Sequence, residues 1–363
     1  MNFPIALSGI NRREFLIRSA TCGAALLMGN AASTAFGGSE DQEPDLIAGM
    51  RIIDPHQHPD KNPAASKDHS ASYRFMKAIG AAAGCYSAVG DIHNSRYYAG
   101  LSTYEATLRQ LHWWLDGVVK EEKVTLVLKA ADIPGPGPSR PGAILGIEGG
   151  DALGGKVERV DEFYKIGVRI ITVVHYHNNE IGDIMKARAN SDPGPYRGGL
   201  SREGRAIIDR MQEIGMVVDV AHAEKTTLKQ IAEITQRPLI DSHTGLCRRR
   251  TGDCGRSRTF EEMEIVAKTG GVVCTWPVGW RRSPKKTFYD WSAELMAMKK
   301  RIGMQHIGLG TDGGGGLGAV VEGYRDVRDL ERLAKAMMAT GFSREDIAAF
   351  MGGNTYRVLS SSM

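Results

Sequence analysis

The chain has 363 residues, of which 42% are hydrophobic and 24% charged, and this composition is ordinary for a globular protein with a full core. Its formal net charge of +4 is small, and no stripe of Lys and Arg with interleaved aromatic residues occurs, which argues against nucleic acid as a partner. The five cysteines form no C-x-x-C pair, so a structural zinc finger is excluded.

The N-terminal segment differs from the rest of the chain. Arg12 and Arg13 precede a modestly apolar run that closes in small residues, a pattern that resembles a twin-arginine export signal over residues 1–35. The apolar stretch Ala24–Met28 is too short to span a bilayer, so no stable membrane anchor is expected in the mature form. We expect a polar leader over residues 36–50 and a periplasmic location. A frayed amphipathic N-terminal helix is the alternative interpretation.

From residue 51 onward, short apolar runs alternate with longer amphipathic stretches. Most runs are rich in Val and Ile and continuous rather than alternating, as in strands buried on both faces. There are eight of them: MRIIDPH, AGCYSAVGD, AILGIEGG, VRIITVVHYH, GMVVDVAHA, RPLIDSHTG, GGVVCTWPV and HIGLGTDGG. Alternating strands and helices predict a parallel sheet. Eight repeats predict one closed α/β barrel of the (β/α)8 TIM type over residues 51–359, although the length also allows two small domains.

Three of the amphipathic stretches carry helix boundary signals. We predict helices with the N-caps Thr103, Ser201 and Thr259, the last two of which stop at Gly215 and Gly270. One further apolar run, KVTLVLKAADI, does not fit the count of eight and is either a helix or an added strand.

Most of the predicted strands end in a potential metal ligand or acid–base group. The carboxyl ends of barrel strands open onto one face, where catalytic groups gather. Strand residues two apart point the same way, so His56 and His58 can reach one ion. Taken singly, such a histidine is more often a hydrogen-bonded loop residue, and Asp312 alone is an ordinary turn residue. Together they predict a metal site, whose candidates are His56, His58, Glu148, His175, His177, His222, His243 and Asp312.

The candidate donors are imidazole and carboxylate groups, without cysteine. That set suits Zn²⁺, and also Mn²⁺, Fe²⁺ or Co²⁺. Glu148 can bridge two ions with one oxygen to each, and a water shared by two ions has a lowered pKa. Asp312 is the candidate to take a proton from that water and pass it to a leaving amine. The predicted chemistry is therefore hydrolysis of a carbonyl derivative.

Several motifs resemble those of the membrane (renal) dipeptidase family in order and rough spacing. They are GIEGGDAL, VRIITVVHYHNN, GLSREGRAIIDRMQEIGMVVDVAHA, PLIDSHTG, GLGTDGGG and GFSREDIAAFMGGNTYRVL. The resemblance runs from residue 51 to residue 359. It implies a metal-dependent (β/α)8 barrel related to the amidohydrolases, usually with two zinc ions. It also implies a dipeptide substrate, often with a D-residue on the C-terminal side, and it allows a homodimer.

The resemblance further implies which residues hold the metal. His56 is similar to the first ligand of the family's opening motif, and Glu148 to the bridging carboxylate. His222 and His243 resemble the two ligands of the second ion. The opening motif of the family is usually His-x-Asp, whereas here His58 stands in the place of the aspartate. A neutral imidazole there removes one negative charge from the first site, which can weaken its ion, leave a single ion bound or change the metal preference.

Catalytic and substrate-binding roles are also carried over by the resemblance. His175 resembles the histidine that polarises the substrate carbonyl, and Asp312 resembles the proton shuttle. An arginine after His243 would hold the carboxylate of the substrate. Arg249 and Arg250 compete for this role, with Arg250 favoured.

Two further departures favour a reshaped substrate pocket. Gly314 stands where the family often has a second aspartate, and His177 has no family counterpart. The altered opening motif leaves a related hydrolase of N-acyl amino acids, cyclic amides or lactones as an alternative function. A non-catalytic envelope protein that binds metal or peptide is a further alternative, against which Glu148 and Asp312 argue. An oxidising compartment permits a Cys247–Cys254 disulfide. Twin-arginine cargo folds in a reducing cytosol, however, so we expect these two cysteines to be thiols.

Overall fold

The computed structural model describes residues 45–58, 71–91, 98–137, 140–185, 192–248, 254–279 and 283–363. The predicted export signal and the leader up to residue 44 lie outside these residues. So do both arginines predicted to bind the substrate, Arg249 and Arg250.

Eight parallel strands form a single sheet in which each strand pairs with the next one along the chain. Every predicted strand is present, so the predicted architecture is confirmed. The strands are β1 (Ile53–Gln57), β2 (Ala83–Val89), β3 (Gly142–Glu148), β4 (Val168–Thr172), β5 (Val217–Asp219), β6 (Ile240–Thr244), β7 (Val272–Thr275) and β8 (Ile307–Leu309).

The sheet closes into a barrel at its carboxyl rim, just beyond the end of β8. The backbone N–H of Asp312 donates to the carbonyl of His56 at 3.0 Å, and the N–H of His58 donates to the carbonyl of Gly313 at 2.7 Å. Gln57 and Gly313 form the parallel bridge between these two hydrogen bonds. Closure therefore places the segment after β8 directly against the two histidines of β1.

Side chains of the strands divide between two apolar clusters, as the two-residue period of a strand requires. A small cluster takes residues from β1 to β7, among them Ile53, Ile170 and Val272, and the larger cluster lies between the strands and the helices. Two side chains of the last helix, Val358 and Leu359, join the small cluster. Several members of this cluster begin their strands, so the C-terminal helix packs at the amino end of the barrel and the carboxyl end carries the site.

Helices follow the strands as the pattern predicts. They are α1 (Ala71–Ala78), α2 (Thr103–Trp114), α3 (Glu158–Ile166), α4 (Arg202–Ile214), α5 (Lys225–Ile234), α6 (Phe260–Lys268), α7 (Phe288–Ile302), α8 (Leu330–Ala339), α9 (Arg344–Ala348) and α10 (Asn354–Ser362). None of the helices in the described part of the chain combines the length and the apolar character that crossing a membrane requires.

Two helix caps are confirmed and one prediction is wrong by one residue. The hydroxyls of Ser201 and Thr259 cap α4 and α6, as predicted. The cap of α2 is Ser102 rather than Thr103. Ser102 has an extended backbone and forms a reciprocal capping box with Glu105, which leaves Thr103 inside the first helical turn.

The predicted helix ends and the ninth apolar run agree with the structure only in part. Gly215 ends α4 with a φ of 83°, as predicted, whereas α6 ends at Lys268, with Gly270 two residues further on. The run KVTLVLKAADI is neither a helix nor a full strand. Leu126 makes a one-residue bridge to Ala143 of β3, and a single 3₁₀ turn follows.

Candidate metal centre

Seven of the predicted site residues meet at the carboxyl end of the barrel, and all seven are buried. Three belong to strands, and four lie one to three residues beyond a strand end. The strand residues are His56, Glu148 and His243, and the others are His58, His175, His222 and Asp312.

Glu148 is the centre of this arrangement, because its carboxylate faces five imidazole rings. Oε1 lies 3.5 Å from His56 Nε2, 3.2 Å from His222 Nε2 and 3.3 Å from His243 Nε2. Oε2 lies 3.2 Å from His58 Nε2 and 3.3 Å from His175 Nε2. Each oxygen thus has its own set of nitrogen neighbours, as a bridging carboxylate requires.

The side chains present fit a metal ion. Glu148 Oε2 and Asp312 Oδ1 are buried and accept no hydrogen bond, although His58 Nε2 lies 3.2 Å from the first and 3.4 Å from the second. An unsatisfied buried polar atom costs about 1–3 kcal/mol, and more when it is charged, and a cation at this place satisfies both oxygens. Within the described residues, three groups bring their donor atoms within 4.8 Å of one another: His56 with Glu148 and His243, His56 with His58 and Asp312, and Glu148 with His175 and His222.

Both carboxylates are held in the ionised form. Burial raises the pKa of Glu148, but the positive charge of His175 and His56 outweighs it, so the pKa lies well below its usual value. Burial also raises the pKa of Asp312, and the neighbouring His58 reverses that effect, so the pKa of Asp312 is lowered as well. Ionised oxygens are the form that binds a metal.

The histidines of the site differ in the direction in which their pKa values are shifted. Burial and the charge of Arg256 lower the pKa of His222 well below its usual value, and burial and the charge of His56 lower that of His243. These two rings are therefore neutral, with lone pairs available for a metal. Burial lowers the pKa of His56 too, but the Glu148 carboxylate outweighs it and raises this pKa to about 9. The negative potential that retains a proton there also attracts a cation.

Two site residues adopt the left-handed backbone conformation that non-glycine residues rarely use. These are His222, with a φ of 66°, and Asp312, with a φ of 51°. The His222 carbonyl accepts from Met185 N–H at 2.8 Å, and the Asp312 N–H donates to His56. Such conformations cost about 1–3 kcal/mol and concentrate at functional sites, so the fold holds both side chains in place at the expense of local strain.

Asp91 is a site residue that the sequence analysis missed. It lies just beyond β2 and accepts hydrogen bonds from His175 Nδ1 at 3.0 Å and from the N–H of Tyr176 at 2.9 Å. His177 Nδ1 lies 3.4 Å from its second oxygen, which places His177 beside the site rather than at Glu148. The signal in the sequence was an acid at the end of a predicted strand, in the same position that drew attention to Glu148.

Arg256 was also missed. Its Nη1 lies 3.2 Å from both ring nitrogens of His222, its Nη2 donates to the carbonyl of His175 at 3.2 Å, and its guanidinium lies over the Tyr176 ring at 4.4 Å. It is the arginine that the described residues bring to the site from the segment after His243. Arg258, two residues on, is fully buried in an ion pair with Asp241 instead.

The segment before Arg256 is closed by a disulfide between Cys247 and Cys254. The expectation of two thiols is therefore wrong. Hydrogen bonds from Cys247 N–H to the carbonyl of Arg258 at 2.7 Å and from Arg258 N–H to the carbonyl of Gly245 at 2.8 Å bring the two ends of the segment together. The Cα atoms of the cysteines are 5.5 Å apart, a separation that the fold sets and the sequence spacing does not reveal.

Sequence comparison finds dipeptidases among the relatives of this chain. Dipeptidase verJ of Clonostachys rogersoniana is 29% identical over 223 residues, which cover 60% of this chain and 55% of verJ. Dipeptidase aclJ of Aspergillus oryzae is 28% identical over 228 residues, covering 61% of this chain and 52% of aclJ. The chain spans about half the length of the curated relatives it matches.

Solved structures share the fold at low sequence identity. An amidohydrolase from Pseudomonas aeruginosa superposes with a TM-score of 0.72 at 20% identity, covering 88% of this chain and 98% of that one. A metallo peptidase from Rhodobacter sphaeroides, liganded with a phosphinate mimic of the dipeptide L-Ala-D-Ala, gives 0.72 at 18% identity, covering 87% of this chain and all of that one, 100%. At this identity the likeness shows the fold alone.

A family model described as "Membrane dipeptidase (Peptidase family M19)" matches residues 45–362. This range takes in every strand of the barrel and every residue of the metal-binding groups described above. The resemblance seen in the motifs is thereby confirmed, and the chain belongs to the membrane dipeptidase family, peptidase family M19.

Proposed function

We propose that the protein is a metal-dependent dipeptidase that hydrolyses the peptide bond of dipeptides, including those with a D-residue on the C-terminal side. The observation that carries this proposal is the Glu148 carboxylate, which faces five histidines with both oxygens while Asp312 adds a second ionised carboxylate beside it. The dipeptidases among its relatives and the dipeptide mimic bound to the Rhodobacter sphaeroides enzyme support it.

We propose two Zn²⁺ ions as the metal. His56 and His58 would hold the first ion, His222 and His243 the second, and Glu148 would contribute one oxygen to each. This assignment follows the family resemblance, whereas in the structure His56 lies at the same Glu148 oxygen as His222 and His243 and His58 lies at the other. Imidazole with carboxylate suits zinc. When bound, such ions polarise a carbonyl and lower the pKa of water toward 7. One ion, or Mn²⁺, Fe²⁺ or Co²⁺, is the alternative that metal analysis resolves.

The remaining chemistry falls to side chains of the chain itself. Asp312 is ionised and has an oxygen without a hydrogen bond, so it is placed to take a proton from the attacking water and deliver it to the leaving amine. His175 donates Nδ1–H to Asp91 and directs Nε2 toward Glu148, which places this nitrogen to stabilise the oxyanion. His175 Nε2 contacts Glu148 Oε2 directly, and Asp312 Oδ1 contacts His58 Nε2, which neighbours the same oxygen.

A dipeptide differs from an internal peptide bond by its free carboxylate, and Arg256 is the candidate to bind it. Its guanidinium reaches the site from one side, where it contacts His222 and His175. A bidentate guanidinium–carboxylate contact fixes the end of the substrate relative to the scissile bond. Arg249 and Arg250 remain candidates for the same role.

The second candidate function is the same hydrolysis on an N-acyl amino acid, a cyclic amide or a lactone. The observation that favours it is the altered wall of the site, where His58 replaces the aspartate of the family motif, His177 lies beside Asp91, and Gly314 replaces a second aspartate. A non-catalytic binding protein is disfavoured, because metal or peptide binding alone does not require an ionised carboxylate such as Asp312 beside the donors.

Metal analysis of the purified protein combined with a substrate panel tests these proposals. We expect about two equivalents of zinc, and hydrolysis of L,L- and L,D-dipeptides that stops when a chelator removes the metal and returns when zinc is restored. Turnover confined to N-acyl amino acids, cyclic amides or lactones would establish the second candidate. A metal-loaded protein inactive on the whole panel would refute the enzymatic function.

We also propose that residues 1–35 direct export to the periplasm. Paired arginines before an apolar run support this, and the oxidised Cys247–Cys254 pair suits an oxidising compartment. Replacing Arg12 and Arg13 with lysine should retain the precursor in the cytoplasm, as cell fractionation would measure. Unchanged export of that variant would contradict the proposal. Dimer formation stays a prediction for light scattering.

A further inference from the structure

Ser242 lies in β6 immediately before His243, and its buried hydroxyl stands between two of the proposed metal-binding histidines. Its Oγ is 2.8 Å from His243 Nδ1 and 3.4 Å from His56 Nδ1. It also donates to Asp219 Oδ2 at 2.6 Å. We propose that Ser242 and Asp219 are positioning residues that together set the imidazole tautomers of His56 and His243. This inference rests on the proposed metal-dependent function.

Asp219 accepts hydrogen bonds at both of its buried oxygens. Oδ1 accepts the backbone N–H groups of Ala221 and Ser242, each at 3.0 Å. Oδ2 accepts the Thr172 hydroxyl at 2.5 Å and the Ser242 hydroxyl at 2.6 Å. The Ser242 hydroxyl is the donor in its contact with Asp219 Oδ2, and a serine has a single hydroxyl proton. That proton of Ser242 is therefore directed to Asp219.

With its proton committed, Ser242 Oγ offers only lone pairs to the two imidazole rings. His243 Nδ1 carries a hydrogen toward it at the shorter distance, and His56 Nδ1 does so at the longer one. The Nε2 atoms of both rings then face Glu148 Oε1, at 3.3 and 3.5 Å. The serine thus selects the tautomer that turns the metal-binding nitrogen toward the shared carboxylate, since the partner of one ring nitrogen decides the role of the other.

Ser242 differs from the other partners in the site because it contacts two of the proposed metal-binding rings at once. His58 Nδ1 has its own acceptor, the Ser87 carbonyl at 2.9 Å, and His175 Nδ1 has Asp91. His56 is proposed to hold the first ion and His243 the second. A change at Ser242 therefore acts on both ions, whereas Asp91 contacts His175 and His177, neither of which is a proposed metal ligand.

The tautomers can be read directly in the wild-type protein without metal. Long-range ¹⁵N–¹H correlation spectra of histidine-labelled protein should show hydrogen on Nδ1 of His56 and His243. They are recorded above the pKa of about 9 of His56, where this ring is neutral, and are assigned by single histidine replacements. Hydrogen on Nε2 alone in either ring would overturn the inference. Those tautomers do not depend on whether dipeptides are cleaved, so failure of the proposed function and failure of this inference give separate results.

Metal affinity provides the second measurement. Ser242→Ala removes the shared acceptor, and we expect the dissociation constants of both Zn²⁺ ions to rise about 10–100-fold in competition with a chromophoric chelator, the usual range for loss of such a partner. Ser292→Ala is the matched control. It removes another buried hydroxyl, one bonded to Thr340 in the packing of α7, and should leave both constants unchanged. Unchanged affinities in Ser242→Ala, or a loss confined to one ion, would overturn the inference.

Asp219→Asn separates a tautomer effect from a general loss of packing. The asparagine oxygen would remain on the two backbone N–H groups, so its NH₂ group would face Ser242 and donate to it. The serine proton would then turn toward His243 or His56 and force hydrogen onto Nε2 of that ring. We expect this switch in the ¹⁵N spectra together with weaker Zn²⁺ binding. A folded Asp219→Asn protein with wild-type tautomers and wild-type affinity would contradict the assigned role.

Discussion

Asp91 Oδ1 lies 3.0 Å from His175 Nδ1, and both side chains are buried. The same carboxylate accepts the N–H of Tyr176 at 2.9 Å with its other oxygen, so it fixes both the ring and the backbone of the turn that follows β4. Burial raises the pKa of Asp91, but the charge of His175 and hydrogen bonds from His175 and His177 outweigh it and hold this pKa below its usual value. Asp91 is therefore an ionised positioning residue for the histidine proposed to stabilise the oxyanion.

We expect Asp91→Asn to lower kcat for a dipeptide by about 10²-fold, the scale of a positioned acid–base group, with a much smaller change in KM. The amide keeps the shape of the side chain but lacks its negative charge beside His175, so the transition state loses more stabilisation than the bound substrate does. Steady-state kinetics measure this split. Asp161→Asn, at a surface pair with Arg210, is the control. An increase in KM alone would point to a structural role instead.

Asp312→Asn should cut turnover by about 10²–10⁴-fold while metal stays bound, because the proposed proton shuttle is lost. Asparagine adopts the left-handed conformation about as readily as aspartate, so the backbone at φ 51° is preserved. Single-turnover kinetics and elemental analysis on the same preparation check both parts. A near-normal rate with metal retained would refute the shuttle role.

The fold and most of the central cluster were predictable for a physical reason. Strands buried on both faces give continuous apolar runs, and a polar residue at the end of such a run, like Glu148, must have a partner or a function. Polar residues inside the runs were equally visible. Asp219 and Ser242 interrupt the apolar character of β5 and β6, but the hydroxyl that links two histidines emerges only when the strands are paired.

The remaining site residues depend on distances that sequence spacing does not set. Three arginines follow His243 before the cysteine at 254 and two come after it, and their spacing in the sequence does not determine which of them reaches the site. The N-cap of α2 is another feature that the sequence alone does not determine. Ser102 and Thr103 are both good capping residues, and only the backbone conformation distinguishes them.

Replacement of His58 tests how many metal ions the site binds. His58→Ala should lower the bound zinc by about one equivalent, because its Nε2 is the nearest nitrogen to Glu148 Oε2. His58→Asp should raise the affinity for the first ion, since it adds a negative charge beside Glu148. Metal titration calorimetry resolves the two steps. Equal stoichiometry in wild type and His58→Ala would mean that His58 is not a ligand.

Arg256→Ala should raise KM for a dipeptide about 10–100-fold and change kcat much less, because a hydrogen bond to a charged group contributes about 1.5–3 kcal/mol. Arg256→Lys should have a KM between those of the wild type and Arg256→Ala, since lysine keeps the charge but not the bidentate contact. A dipeptide amide, which lacks the carboxylate, should be cleaved by wild type and variant with similar KM. If Arg249→Ala or Arg250→Ala raises KM instead, the role belongs to that residue.

The Cys247–Cys254 disulfide should stabilise the fold and hold Arg256 in place at the same time. Closing so short a loop restricts the unfolded chain, and the chain-entropy estimate for a loop of this size is about 2 kcal/mol. Arg256 lies two residues beyond the bridge. Reduction should therefore lower the free energy of unfolding and raise KM for dipeptides, while kcat and the metal content change little.

Urea titration and kinetics of the Cys247→Ser, Cys254→Ser double variant measure both effects without a reductant. Oxidised and reduced wild-type protein are the two reference samples. The buried thiols Cys85 and Cys274 should affect neither the stability difference nor the change in KM. A dipeptide amide provides the internal control, because its KM does not depend on the arginine. If the double variant loses stability but keeps the wild-type KM, the bridge stabilises the fold without positioning Arg256, since the hydrogen bonds between Cys247, Arg258 and Gly245 then suffice to hold the segment.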